Sequence, residues 1–151
     1  MQIETEIVAN EFVTISEITT KAMTPKESTE LLLRAVPELT PLYEKEVIKW
    51  RPDLPPLDIV YSSIFAKFIR NLFEEGEFYA DENIVLKNAF DFVEKLALRP
   101  EFELQCLVEV SILESLLGQT RNDWKNFSPL FGPKTMELAS DLADRMGIRK
   151  E

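Results

Sequence analysis

A chain of 151 residues with 45% hydrophobic side chains and no window of 18 uncharged apolar residues fits one folded domain, and neither a disordered nor a membrane-spanning chain. It contains no histidine, which removes the usual general base near neutral pH, the usual zinc ligand and every Ser–His or Cys–His nucleophile pair. A formal net charge of −10 argues against phosphate backbones and anionic lipids as partners, and favours a cationic one.

Residues 1–22 carry Ile3, Ile7, Val8, Phe12, Ile15, Ile18 and Ala22 in a helical stripe, but β-branched residues are frequent there. A helix or a hairpin packing on a body formed by residues 23–151 is the expectation. The first residues, MQIETEIVANEF, lack the basic start and apolar run of a secretory signal. One cysteine, Cys106, allows no internal disulfide and sits among apolar residues, as a small hydrophobe does. Both points lead to an expected cytoplasmic location.

Thr24-Pro25-Lys26-Glu27 predicts a helix start, since threonine suits the cap, proline the first turn, and Glu27 closes a capping box. Thr40-Pro41 repeats the device and opens a helix ended by Arg51-Pro52 and Pro55-Pro56. From Leu57, the residues Tyr61, Ile64, Phe65, Phe68, Ile69 and Leu72 recur at three and four, which predicts a long amphipathic helix stopped at Gly76. Asp81 is placed to cap the next helix, which turns Val85, Leu86, Ala89, Phe90, Val93, Leu96 and Ala97 inward and stops at Arg99-Pro100. Residues 103–117, ELQCLVEVSILESLL, are apolar on every side of a helical wheel, as expected of a helix that others surround. Gly118 follows at the place of a left-handed cap. Gly132-Pro133 then opens a last helix with Leu138, Ala139, Leu142 and Met146 inward, closed by Gly147. The fold class is all-α: one domain, an array of about six to seven antiparallel helices around a buried central helix (103–117).

Carboxylates at helical spacing are the catalytic candidates. Glu27 and Glu30 form E-x-x-E, and Glu137, Asp141 and Asp144 recur along the last helix, a spacing that magnesium-dependent all-α hydrolases of nucleotides use. The second set lies opposite the apolar stripe of its helix and therefore reads as a solvated face. Glu109 and Glu114 fall between apolar neighbours, where a charge needs a partner such as Arg99, Arg121 or Lys134. The stretch 74–82 combines Glu74, Glu75, Glu77, Asp81 and Glu82 with Phe78 and Tyr79. Unopposed charge beside aromatic rings suits recognition of a basic partner, and Trp124 in the turn-rich 120–132 segment is a further contact candidate.

The segments PELTPLYEKEV (37–47), VSILESLL (110–117) and FGPKT (131–135) resemble a family of small, acidic, helical bacterial proteins of uncharacterised function, over roughly residues 30–140. In size, acidity and lack of catalytic residues the chain is also similar to the immunity proteins that bacteria keep beside polymorphic toxins. That likeness implies a cytoplasmic protein-binding module, not an enzyme, that occludes a basic toxin and uses no cofactor or metal. A magnesium-dependent hydrolase and a regulatory or structural homodimer are the alternatives. Oligomeric state is left open by the sequence.

Overall fold

A computed structural model of the protein describes residues 23–75, 80–148 and 150. The expected helix or hairpin over 1–22, the Gly76 stop, and Glu77, Phe78 and Tyr79 lie outside the described residues. The described part is all-α, one domain of seven helices with no strand among the described residues. They are α1 (Pro25–Ala35), α2 (Thr40–Trp50), α3 (π-helical Ile59–Ala66, then α-helical Lys67–Glu74) and α4 (Ala80–Ala97). After them come α5 (Phe102–Cys106, π-helical Leu107–Leu113, then Glu114–Leu117), α6 (Asp123–Phe127) and α7 (Pro133–Met146).

α1 begins on the expected capping box. The Glu27 N–H donates to Thr24 Oγ1 at 3.2 Å, and the Thr24 N–H donates to Glu27 Oε1 at 2.9 Å. α2 begins differently. The chain passes straight from the 3-10 turn Pro37–Leu39 into the helix, so Leu39 occupies the cap position and Thr40 is already helical. The expected Thr40 cap is thereby replaced by a continuous turn. α2 buries none of its residues fully, and it lies on the body as a surface helix.

The centre is formed where the π-helical stretches of α3 and α5 pack on each other. Val60 and Ile64 of one and Val108 and Ile112 of the other are buried, and the rows run on to Ile69, Leu104 and Leu117 in the flanking α-helical turns at intervals of four and five. Such intervals suit the wider i→i+5 winding of a π-helix, which keeps these side chains in one row. Tyr61 and Phe65 meet Phe92 of α4, with Tyr61 and Phe92 stacked and Phe65 edge-on to both. The buried Tyr61 hydroxyl lies 3.2 Å from the Ser28 carbonyl and 3.2 Å from the Ser28 hydroxyl, which ties α3 to α1. Burial pushes its phenol far above the ordinary value, outweighing the Ser28 hydrogen bond.

α5 is central but not enclosed on every side. Val108, Ser111, Ile112, Leu113, Leu116 and Leu117 are buried, whereas Val110 is 54% exposed and Phe102 77%. Cys106 and Leu107 are half-buried between them. The expectation that other helices cover the whole circumference is corrected by that open stripe. A helical wheel shows where apolar side chains point, not whether a neighbour stands there. Two caps are corrected as well. α4 is already helical at Ala80, so Asp81 lies within the helix, not before it. Gly118 ends α5 with φ of −105°, outside the left-handed region, whereas Gly147 closes α7 at φ +70°, where glycine avoids the strain of a Cβ.

Candidate functional site

Three polar locks, two of them ion pairs, hold the helices together, and none was predicted. At the first, Arg70 of α3 faces the buried Asp123 at the start of α6. Arg70 Nη1 and Nη2 donate to the two carboxylate oxygens at 3.2 and 3.1 Å, and Nη2 also donates to the Leu116 carbonyl at 2.7 Å. Asp123 further accepts from the N–H groups of Gln119 and Thr120, both at 2.8 Å, and from the Thr120 hydroxyl at 2.7 Å. Burial alone would raise its pKa. The Arg70 pair and the donors on Thr120 and Gln119 outweigh that, so the carboxyl lies below its usual value and stays ionised. The Arg70 guanidinium also stands over the Phe127 ring at 5.3 Å.

The second lock joins Arg99, buried after α4, to Glu101. Arg99 Nε donates to Oε1 at 2.9 Å and Nη2 to Oε2 at 2.6 Å, while the Met23 N–H donates to Oε2 at 2.9 Å. The Arg99 hydrogen bonds, helped by Met23, take the Glu101 carboxyl down to about 2. At the third, Glu94 of α4 caps α7 from outside. Its Oε2 accepts from the Lys134 N–H at 2.9 Å and its Oε1 from the Thr135 N–H and hydroxyl, both at 2.8 Å. Gly132 makes room for it, since a Cβ there would lie 2.5 Å from Glu94 Oε1. The FGPKT segment is therefore a receptor for one carboxylate.

Of the expected contact residues, Glu74 and Glu75 are exposed at the end of α3. Glu74 stands 3.6 Å from Arg70. Asp81 and Glu82 lie in the first turn of α4. Trp124 does not belong to this surface. It is 8% exposed within the hydrophobic core and packs edge-on against Phe131, whose ring meets Phe90 of α4, so the pair fastens the 120–132 segment to the body. Glu109 pairs with Arg145 at 3.5 Å, not with Arg99, Arg121 or Lys134. The carboxylates of the hydrolase alternative are dispersed among local roles: Glu27 caps α1, Glu137 pairs with Lys134, and Asp144 with Lys150. Among the described residues, no three His, Cys, Asp or Glu side chains are placed to hold a metal ion.

Two surface grooves flank α3. One of about 460 Å³, between α3, α4 and the segment after α6, is lined by Phe73, Leu86, Phe90, Pro129 and Leu130, together with Lys87 and Asp91, which pair with each other at 2.9 Å. The other, of about 510 Å³ between α2 and α3, is lined by Leu42, Ile48 and Phe68 with Lys45, Lys49 and Lys67, and by Glu46, which pairs with Lys49. Along α3 itself, the exposed Lys67 precedes the exposed Glu74 and Glu75.

A family model described as a domain of unknown function, DUF7674, matches residues 29–146. The chain belongs to that family. The matched stretch runs from α1 through α7 and takes in Arg70, Glu94, Gly132 and Asp123, as well as the three segments that carried the sequence resemblance. No curated protein and no solved structure matches the chain significantly. No described helix is long and apolar enough to cross a membrane.

Sequence reasoning missed the locks because two of them join residues far apart in the chain. One signal was present. Thr120 and Asp123 stand three residues apart, close enough for the carboxylate to reach back and accept from the Thr120 N–H and hydroxyl just ahead of α6.

Proposed function

We propose that the protein is a binding module that neutralises a basic protein partner, in the manner of an immunity protein set against a toxin. The observation that carries this reading is the end of α3. There Glu74 and Glu75 stand exposed directly after Phe73, which lines an apolar groove with Leu86, Phe90, Pro129 and Leu130. Exposed carboxylates draw a cationic surface in from a distance, and an adjacent apolar groove gives one of its side chains a dry seat. Binding there would cover the partner's active site or substrate groove. Neutralisation by this route is steric and electrostatic and needs no chemistry from the chain.

The test is capture of the full chain with its bound proteins from the native cell, followed by co-expression of each captured protein. A basic, growth-inhibiting partner whose effect the chain relieves is the expected result. The Glu74→Lys, Glu75→Lys, Glu77→Lys variant should then associate about tenfold more slowly and with weaker salt dependence. Capture of acidic partners alone, or purified chain that turns over nucleotides, would overturn the reading. Association unchanged in the triple variant would remove the α3 end as the site.

A further inference from the structure

We infer that α3 is the contact helix of a symmetric homodimer. Its outward stripe reads Ser63, Lys67, Asn71, Glu74, Glu75, all exposed, and the charge along it reverses at Asn71. Glu75 continues the helix, its N–H donating to the Asn71 carbonyl at 2.9 Å. Lys67 and Glu75 each lie four residues from Asn71, about 6 Å along the axis at 1.5 Å per residue. A two-fold axis through Asn71, with two copies of α3 antiparallel, therefore brings Lys67 of each chain opposite Glu75 of the other. A parallel arrangement would set like charges against each other. Self-complementarity about one point is what an isologous interface requires.

The groove between α2 and α3 supplies what charge pairs lack. Ile48 is 60% exposed and Leu42 42%, and with Phe68 they form an apolar floor beside Lys45, Lys49 and Lys67. The occupant is the acidic end of the second copy's α3, with its Glu74 and Glu75 beside these lysines. Of these charges, Glu74 already stands 3.6 Å from Arg70 within its own chain. Among the described residues, Lys45, Lys67 and Glu75 form no ion pair, while Lys49 shares Glu46 at 3.6 Å. An unrelated acidic helix would also satisfy the lysines. Only a second copy also uses the reversal of sign along α3. Two chains of −10 repel at long range, but at physiological salt that repulsion is screened beyond about 8 Å, and contact pairs are less affected.

The inference does not rest on the basic-partner reading, although both use Glu75, so dimer and captured partner exclude one another. Sedimentation velocity of the full chain, from micromolar to hundreds of micromolar, decides it. The wild type should dimerise with rising concentration. Lys67→Glu and Glu75→Lys should each raise the dissociation constant tenfold or more, each exchanging both attractive pairs for repulsive ones. The double variant Lys67→Glu, Glu75→Lys should restore self-association, and the two single variants mixed should form heterodimers. Both positions are exposed, and unchanged circular dichroism separates loss of contact from loss of fold. A wild type that stays monomeric throughout, or a dimer that both reversals leave intact, overturns the inference. If the wild type is monomeric yet captures a basic partner, the dimer falls and the proposed function stands. A dimer that captures none has the opposite meaning.

Discussion

Asp123 and Glu75 carry the same functional group, one facing Arg70 and the other five residues beyond it on α3, and the fold uses them in opposite ways. Asp123 is 1% exposed and accepts from Arg70, Thr120 and Gln119, so each of its oxygens is engaged inside the molecule. Glu75, five residues along α3 from Arg70, faces outward and forms no ion pair among the described residues. The difference lies in neighbours, not chemistry. A carboxylate with a guanidinium and several N–H donors around it fastens helices together, and one with water around it remains available to another molecule. The same division runs through the whole body. At the joints between helices Glu94, Arg99 and Asp123 turn inward, whereas Lys87, Asp91, Glu137 and Asp141, like most charges of α2 and the outer stripe of α3, stand at the surface.

The contrast can be broken from its buried side with the largest effect. Asp123→Ala leaves the Arg70 guanidinium without its main counter-charge and the Gln119 and Thr120 N–H groups without an acceptor. It should cost about 3 kcal/mol. For a chain of this size that lowers Tm by about 6–12 °C, which a calorimetric scan reads directly. Gly132→Ala comes next. Its methyl would displace Glu94 and uncap α7, for about 1–2 kcal/mol in urea unfolding. The smallest effect belongs to the outer side. Ile48→Ser on α2 should change unfolding free energy by less than about 0.5 kcal/mol, because Ile48 already stands in water. A large loss there would mean that α2 is fastened more deeply than its exposure indicates.

The legible part of the fold was its local part. Thr24, Pro25 and Glu27 announce α1 because cap and box lie within four residues, and Gly147 marks the end of α7 for the same reason. The Glu94 cap of α7 was illegible because donor and acceptor are about forty residues apart, and only the packing of α4 on α7 joins them. The π-winding of α3 and α5 left no plain trace either. Over eight residues, buried positions at four and five look much like positions at three and four. At the surface, Glu75 stands without an ion pair among the described residues, as its unopposed run suggests, whereas Glu74 has Arg70 at 3.6 Å. A tryptophan in a turn-rich segment more often locks the loop than awaits a partner, and the burial of Trp124 among core side chains decides for the lock.

The Glu94–Gly132 contact has a consequence for anyone rebuilding this helical array. Position 132 and position 94 form a single unit of inheritance: bulk added at one can be tolerated only if reach is shortened at the other. A FGPKT turn grafted onto a foreign scaffold without a glutamate arriving from the side would start its helix with bare amides. A shuffled library that recombines α4 and α7 from different parents should lose its folded members at this joint first.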